Sequence, residues 1–257
     1  MKKIYWLLVG VIALFTSCSS DSESSSNRLL KEVQSETVSA DFTSNIVFQF
    51  TYSGNKIKSI KSGNYYETKY IYSGDLITSL SNYNNGDLMY KVIYEYDSEG
   101  RMVRATATEY QEGASELNTY AYNTDNTITR LTYDGTTENP ASLTKTSTIS
   151  LDTLGRFVGL EDFEGSGWIL KIVASYTSYN SPLRNIVGYD KLLSFNDVKN
   201  CFATYDQLNN TSGSGFNNTS VFEYTVNSAN YPTQCVQTLT NTVDGSTSVT
   251  TNNYIYY

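Results

Sequence analysis

The chain has 257 residues, a formal net charge of −8, 17% charged residues and no histidine. Its negative charge gives no basic surface for nucleic acid and would be repelled by anionic lipid headgroups, which disfavours binding to DNA or RNA. Without histidine the usual general base, the usual zinc ligand and every Ser–His or Cys–His nucleophile pair are missing, so we predict no enzyme and no cofactor or metal.

The first residues predict an export signal. Lys2 and Lys3 precede an apolar run over residues 4–15, which ends at Thr16-Ser17-Cys18. The run is shorter than the ~20 apolar residues of a membrane-spanning helix, and a basic start with small residues before the cut is typical of a secretory signal. Leu14-Phe15-Thr16-Ser17-Cys18 resembles a bacterial lipobox, which implies residues 1–17 as signal peptide and lipid on Cys18. The alternative is a plain signal peptide with an incidental cysteine.

A polar tether is predicted after Cys18. Residues 19–26 contain only Ser, Asp and Glu, so they have nothing to bury, and we expect disorder over residues 18–38. An acidic, serine-rich run after a lipidated cysteine resembles the surface-export signal of Bacteroidota lipoproteins. That resemblance implies an outer-membrane anchor with the protein on the cell surface. A simple spacer, with the protein on the periplasmic face, is the equal alternative. Residues 39–257 then form a single β-domain.

A unit of strand, turn and return strand recurs along most of this domain. Tyr94-Glu95-Tyr96 alternates with a period of two, meets a turn at residues 97–100 and continues through Met102. Each such unit is typical of a β-hairpin, and a spacing of ~20–30 residues is typical of repeat architectures. Similar units occupy residues 48–57, 70–77, 120–128, 149–157 and 222–230.

Apolar residues lie three apart after the turns. An ideal strand would place such residues on opposite faces. We therefore expect a bulge or a strong twist just after each turn, which would bring both residues toward the core and bend the sheet. A helix would also explain the spacing, but the segments are short and the turns favour strands. The pairs are Ile57 and Ile60, Ile77 and Leu80, Met102 and Ala105, Ile128 and Leu131, and Phe157 and Leu160.

Two groups of motifs resemble known families. Tyr96-Asp97-Ser98-Glu99-Gly100-Arg101-Met102 resembles the YD repeat of the RHS family. The segments at residues 180–186 (Asn-Ser-Pro-Leu-Arg-Asn-Ile) and 230–233 (Asn-Tyr-Pro-Thr), with the lipobox, resemble Bacteroidota lipoproteins of unknown function. This resemblance covers nearly all of the mature chain and implies a porin-like β-fold. It implies no catalytic residues.

The later part of the domain departs from the hairpin rhythm. Leu192, Leu193, Phe195 and Val198 would share one helical face, which predicts a short helix over residues 189–200, and residues 208–219 are typical of a polar loop. The final Tyr254-Ile255-Tyr256-Tyr257 is a strand that can pair with an early strand. The predicted fold is all-β: an antiparallel meander of hairpins, strongly curved and closing fully or partly into a barrel, with one short helix and a polar loop near 189–219.

The barrel is predicted to be soluble rather than membrane-spanning. The faces opposite the aromatic residues carry Gln49, Thr51, Lys69 and Glu95, whereas a lipid-facing strand needs a wholly apolar side. Large rings prefer burial, so we expect an aromatic core. The tyrosines also invite a sugar-binding interpretation, but most sit at the alternating positions that would fill an interior.

The densest carboxylate cluster consists of Glu161, Asp162 and Glu164, next to Trp168. One hypothesis is a glycosidase-like acid pair or a cation site beside an aromatic platform. A solvated acidic loop at a hairpin tip is the favoured interpretation. Once Cys18 carries lipid, Cys201 and Cys235 either pair in an oxidising compartment or are buried independently.

The predicted function is a lipid-anchored, monomeric binding module of the cell envelope, for an unknown ligand that is a glycan or a protein segment. The alternative is a structural or assembly component whose hairpin edges pair with another protein. A hydrolase using the cluster around Glu161 is the least favoured hypothesis.

Overall fold

The structure is a computed structural model that describes residues 28–136, 142–193, 198–210 and 217–257. The signal sequence, Cys18 and residues 19–26 lie outside the described residues. Apart from one three-residue 3-10 helix, Tyr189–Lys191, the regular elements within these ranges are strands. They are β1 (Leu30–Ser39), β2 (Thr43–Ser53), β3 (Lys56–Ser62), β4 (Tyr66–Ser73), β5 (Leu76–Asn84), β6 (Asp87–Tyr96), β7 (Met102–Glu109), β8 (Ala114–Tyr122), β9 (Thr127–Thr136), β10 (Ser142–Leu151), β11 (Phe157–Glu164), β12 (Gly167–Asn180), β13 (Asn200–Asn209), β14 (Asn218–Val226), β15 (Pro232–Asn241) and β16 (Thr247–Tyr256).

The strands form one closed barrel. Each pairs antiparallel with its neighbours in the chain, and β1 also pairs with β16. Beyond this ladder, the amide of Tyr257 donates to the carbonyl of Leu29 at 2.9 Å. The predicted meander is confirmed, with full closure and with the C-terminal tyrosines on the strand that closes it. Residues 30–38, which the sequence analysis assigned to the tether, instead form β1, because Val33 and Ser35 alternate into the interior.

Four of the described turns at one end of the barrel share a five-residue loop, at residues 97–101, 123–127, 152–156 and 227–231. The Asp97 amide donates to the Arg101 carbonyl at 2.9 Å, and the Gly100 amide donates to the Asp97 carbonyl at 3.0 Å. Oδ1 of Asp97 accepts two further backbone amides, and Oδ2 accepts Nε of Arg101 at 2.8 Å. Gly100 has a φ of 72°, a left-handed conformation that glycine adopts without steric cost. The loop from Asp152 to Arg156 repeats these bonds.

A β-bulge follows five of the turns at this end of the barrel. In β6–β7, Glu95 opposes Arg104 and Tyr96 opposes Met102, which leaves Val103 without an opposite residue. Met102 and Ala105 therefore face the interior together and are both buried. The predicted bulge is confirmed here, and the same shift occurs in β2–β3, β4–β5, β10–β11 and β14–β15.

Tyrosine hydroxyls bond to the backbone beside the turns. The hydroxyl of Tyr96 donates to the carbonyl of Ile77 at 2.7 Å, and Tyr122 donates to Met102 at 3.1 Å. Each acceptor lies at the start of the strand that leaves the preceding turn. Burial raises the pKa of Tyr122 to about 12, so the phenol stays protonated and keeps donating. The repeated tyrosines are thus part of the wall.

Residues 181–193, 198 and 199, here called the plug, occupy the same end of the barrel. Leu183, Ile186 and Tyr189 are buried and pack in one apolar cluster with Phe50 and Ile57 of the wall. The plug is also tied to the turns, because the Val187 amide donates to the Asn55 carbonyl at 3.0 Å and the Tyr72 hydroxyl donates to the Val187 carbonyl at 3.1 Å.

The helix predicted over residues 189–200 is wrong. Tyr189–Lys191 form a single 3-10 turn, Leu192 is extended with φ −74° and ψ 119°, and β13 begins at Asn200. Leu192 and Val198 are buried as the pattern suggested, but they pack against the barrel wall in the plug. Phe195 lies outside the described residues. The predicted polar loop is shorter than 208–219, because β13 continues to Asn209 and β14 starts at Asn218.

The outward face of the barrel carries both polar and apolar rows. One row of directly opposed outward residues runs from β4 to β8 through Lys69, Ser81, Lys91, Thr108 and Ser115. The interior of the same strands holds apolar clusters that include Val92, Tyr94 and Tyr120. Within the part of the chain that the structure describes, no helix has the length and apolar character needed to cross a membrane.

Candidate functional site

The hairpin β8–β9 lacks the bulge, and its regular register places an arginine in the interior. Tyr122 opposes Ile128 and Tyr120 opposes Arg130 with no shift between them. Ile128 is fully buried, so Arg130, two residues later on the same strand, faces the interior as well. The prediction that Leu131 turns inward with Ile128 is wrong, because without an extra residue positions three apart stay on opposite faces.

Arg130 pairs with a buried carboxylate. Its Nη2 lies 2.9 Å from Oδ1 of Asp162 and donates to Oγ of Ser147 at 2.8 Å. Nζ of Lys145 lies 3.6 Å from Oδ2 of the same carboxylate. The side chains of Asp162, Arg130 and Lys145 are 3%, 14% and 28% exposed. Asp162 is therefore shielded from solvent, whereas Lys145 is partly exposed to solvent.

A second set of hydrogen bonds lies beside this pair. Oγ1 of Thr132 donates to Oδ1 of Asn118 at 2.7 Å, and Nδ2 of Asn118 donates to Oε1 of Glu116. Burial raises the pKa of Glu116 above its usual value, against the opposing effects of the Asn118 bond and the charges of Lys145 and Arg130. We call Glu116, Arg130, Lys145 and Asp162, from four successive strands, the charged cluster.

The charged cluster is suited to polar binding. It combines guanidinium and ammonium donors with two carboxylates and neutral amide and hydroxyl groups. Tyr120, directly opposite Arg130, has its pKa raised to about 12 by burial, so its hydroxyl remains a donor. No three Asp, Glu or Cys side chains in the described residues are grouped so that they could hold a metal ion.

Further polar side chains face the interior from β1 and β14–β16. Nε2 of Gln237 donates to Oγ of Ser220 at 3.1 Å, and the hydroxyls of Thr37 and Thr250 are 3.0 Å apart. Asn252 is fully buried, and its Nδ2 finds no hydrogen-bond partner among the described residues. Since buried amides are nearly always bonded, an ordered water or a ligand atom is the natural partner.

These groups lie toward the end of the barrel opposite the plug. This polar end carries the turns β1–β2, β3–β4, β5–β6, β7–β8, β11–β12 and β15–β16. Near it, Ile46 and Tyr66 follow the inward register of their strands and are 41% and 59% exposed. The interior is thus divided into an apolar, plugged end and a polar end that solvent reaches.

The strand β11 divides the carboxylate cluster predicted from sequence. Asp162 faces inward in the charged cluster, whereas Glu161 faces outward and pairs with Lys171 at 2.8 Å. Glu164 ends the strand and is exposed. Trp168 faces outward in β12, with Nζ of Lys171 5.3 Å from its ring. The structure therefore does not bring Glu161, Asp162 and Glu164 together as one site.

The two described cysteines are buried as separate thiols. Sγ of Cys201 donates to the carbonyl of Asn180 at 3.2 Å. Of the two alternatives that the sequence left open, independent burial is the one observed.

Sequence reasoning missed Glu116, Arg130 and Lys145. Arg130 is the second residue after Ile128, and in the bulged hairpins the corresponding residue, Arg104 in β7, faces outward. Lys145 faces the interior because it alternates with the buried Ser147 and Ile149 along β10, opposite Thr132 of β9. The sequence does contain a pattern that indicates an inward Arg130, because Ile128, Arg130, Thr132 and Asp134 alternate along one face of β9. That pattern predicts the inward face only if β9 is known to have no bulge.

No protein-family model and no curated protein matches the sequence. Among solved structures, a porin-like protein from Bacteroides vulgatus is similar with a TM-score of 0.52 and 17% identity, over 89% of this chain and 99% of that chain. A porin-like protein from Bacteroides uniformis gives a TM-score of 0.46 and 11% identity, over 89% of this chain and 96% of that chain. At these identities the likeness to the first shows a shared fold and nothing about function.

Proposed function

We propose that this protein is a lipid-anchored cell-envelope barrel that binds a glycan or peptide ligand in the polar half of its interior. The observation that carries the proposal is the charged cluster. Four ionisable side chains from four successive strands converge inside a barrel whose other half is filled with apolar residues and a plug.

Stability alone does not account for this cluster. Removing charges from water costs several kcal/mol per ion, and replacing a buried ion pair by apolar residues is often neutral or stabilising. The other end of the same barrel is filled by Leu183, Ile186 and Phe50 without charge. A carboxyl group with a shifted pKa, such as that of Glu116, in a concave and partly solvent-exposed site is typical of functional sites.

In this proposal the barrel lies in water rather than within the bilayer. Outward residues such as Lys69 and Lys91 lie at the middle of their strands, where a lipid-facing Lys would cost ~2–4 kcal/mol. Membrane attachment is then assigned to lipid on Cys18, at the outer membrane. The similar structure from Bacteroides vulgatus is described as a porin-like protein, which is compatible with an envelope location.

A second candidate is an assembly component of the envelope. Pairing through hairpin edges has no support, because closure between β1 and β16 pairs the first and last strands with each other. An assembly role would have to use the outer wall. There Ile71, Ile93 and Leu143 are 58%, 47% and 54% exposed on a row of outward residues. A stoichiometric partner recovered from native membranes, lost on Ile71→Asp with Ile93→Asp, would favour this candidate.

The test of the binding proposal is a ligand search with matched variants. The mature protein, purified from membranes in mild detergent, is applied to glycan and peptide arrays. Binding of a hit is then compared for wild type, Arg130→Met and Glu161→Gln. We expect Arg130→Met to weaken binding at least tenfold, because it removes a charged donor of the cluster, while the outward-facing Glu161→Gln has no effect. Blank arrays, or equal binding by all three proteins, would count against the proposal.

A further inference from the structure

The turns at the polar end expose large aromatic side chains. Phe42, Tyr65, Tyr66 and Tyr110 are 55%, 61%, 59% and 50% exposed, and they come from the turns β1–β2, β3–β4 and β7–β8 or the strand ends beside them. The turns at the plugged end are built mainly from Gly, Asn, Asp and Ser. Exposed apolar rings mark interaction surfaces, and three turns of this end carry them, so the two ends of the barrel differ in the side chains that they offer to a ligand.

The backbone holds these rings in place. The carbonyl of Tyr65 accepts the amide of Asn85 at 2.8 Å, which joins the turn β3–β4 to the turn β5–β6. The amide of Tyr110 donates to the carbonyl of Met89 at 2.9 Å, which joins the turn β7–β8 to β6. A ring on an anchored turn loses little conformational freedom when a ligand packs on it.

The charge of this end selects among partners. The described turn residues contain Asp41, Glu112 and Asp244 but no Lys or Arg. Phosphate groups and anionic lipid surfaces would therefore be repelled. Just inside the rim, below Tyr65 and Tyr66, the lining is neutral: Oγ1 of Thr68 donates to Oδ1 of Asn82 at 2.8 Å. Amide and hydroxyl groups offer both donors and acceptors, as hydroxyl-rich ligands require. The acidic turn residues would also attract a cationic peptide, so the experiment below includes one as a competing ligand.

We propose that the polar end is a docking surface for a neutral polysaccharide, whose sugar rings pack on Phe42, Tyr65, Tyr66 and Tyr110. Their hydroxyls then reach the polar lining of the mouth. This rests on the proposed function and names its ligand class. The surface lies at the end opposite Arg28, whose carbonyl is held by Nδ2 of Asn185 in the plug, so it faces away from the point where the preceding residues join.

The experiment is native gel electrophoresis of the mature, detergent-purified protein through gels containing starch, a β-glucan or a mannan. Wild type is compared with a triple variant, Phe42→Ala, Tyr65→Ala and Tyr110→Ala, and with Leu154→Ala. Leu154 is 60% exposed on a turn at the plugged end, so its loss is a matched control. We expect at least one polysaccharide to retard the wild type and Leu154→Ala equally, and the triple variant to need at least tenfold more polysaccharide for the same retardation.

Other outcomes separate this inference from the proposed function. Retardation of the triple variant equal to wild type would overturn the polysaccharide surface. The polysaccharide surface would also be overturned if the wild type binds a lysine-rich peptide and none of the neutral polysaccharides retards it. If an array ligand depends on Arg130 but not on the three aromatic residues, the binding function stands and this surface falls. Thermal unfolding checks that the triple variant folds, and the single variants replace it if it does not.

Discussion

Adjacent residues of β11 have opposite structural roles. Asp162 is 3% exposed beside two cations, whereas Glu161 pairs with Lys171 at 47% and 34% exposure. We expect Asp162→Asn to lower the free energy of unfolding by about 3 kcal/mol, because it leaves the Arg130 charge buried without its partner. Glu161→Gln should cost at most about 1 kcal/mol, as for other exposed pairs.

Urea unfolding measures both variants, and the double variant Arg130→Met with Asp162→Leu is the control. Removing both charges should recover most of the loss, since apolar pairs of similar volume often replace buried ion pairs without cost. Equal losses for Asp162→Asn and Glu161→Gln would contradict the buried pairing.

Glu116 predicts a pH dependence of stability. Burial raises its folded pKa above the unfolded value of 4.5, so the folded state holds its proton to higher pH than the unfolded state does. In that window the unfolded state binds fewer protons, and stability falls as the pH rises above about 4.5. Glu116→Gln should remove this loss.

The measurement is urea unfolding of wild type and Glu116→Gln at pH 4 and pH 7. The variant should gain stability relative to wild type between the two values. A difference that is unchanged with pH would show that Glu116 does not titrate with a raised pKa.

At the scale of the hairpin, much of the structure could be predicted from sequence. Tyrosines two apart before a Gly or Asn turn predicted the strands, and apolar residues three apart, such as Met102 and Ala105, predicted the bulge. Both features could be predicted because they depend on residues close together in the chain. Ile128 and Leu131 have the same spacing but no bulge, so the face of β9 depends on its pairing with β8 and β10. That is why Arg130 could not be placed from sequence.

The plug shows the second limit of sequence reasoning. Leu192 and Val198 fit a helical period, yet their burial is supplied by the barrel wall around them. A pattern of apolar positions predicts which residues are buried, but it does not predict which part of the protein they pack against. The same limit applies to Asp162, whose neighbours Glu161 and Glu164 suggested a solvated cluster until β11 placed them on different surfaces.

Two glycines test the seating of the plug. Gly100 and Gly188 have φ of 72° and 73°, so alanine is strained equally at both, by about 1–2 kcal/mol. A Cβ on Gly100 would lie 3.8 Å from its nearest neighbour, Cδ2 of Leu76, but one on Gly188 would collide with the carbonyl oxygen of Asp75. We expect Gly188→Ala to cost roughly 1–3 kcal/mol more than Gly100→Ala, because the plug must shift.

Thermal unfolding compares the two variants, and limited proteolysis reports on the plug. Gly188→Ala should speed cleavage within residues 181–199, whereas Gly100→Ala should not. Similar stability and similar cleavage in both variants would show that the close contact at Gly188 relaxes without displacing the plug.

For the whole molecule, attachment to the membrane is predicted to depend on one residue. Cys18→Ala should release the protein from membranes, because residues 4–15 are too short to span a bilayer and the barrel carries Lys69 and Lys91 on its outward face at mid-strand. Palmitate labelling and membrane fractionation measure this, with Ser20→Ala as a control that should stay bound. Wild type without label would contradict the lipobox prediction.

The barrel itself is predicted to be stable in water. A chain that begins at Arg28 should be folded and monomeric in buffer without detergent, because outward side chains such as Lys69 and Arg104 are solvated. Size-exclusion chromatography with light scattering measures the mass. Aggregation that only detergent relieves, together with ion conductance in planar bilayers, would instead indicate a membrane-spanning barrel.

The closing pair of strands constrains how the chain folds. Successive strands meet across short turns, but β1 and β16 are separated by more than 200 residues, and joining them costs about 2 kcal/mol more loop-closure entropy than forming a 20-residue hairpin. The hairpins therefore assemble first, and β1 is an open sheet edge until the last strand arrives. Open edges invite pairing with other chains, and charged side chains discourage it. On β1 that protection comes from Lys31, Glu32 and Glu36. These charges therefore act mainly during folding, before β16 covers the edge of β1.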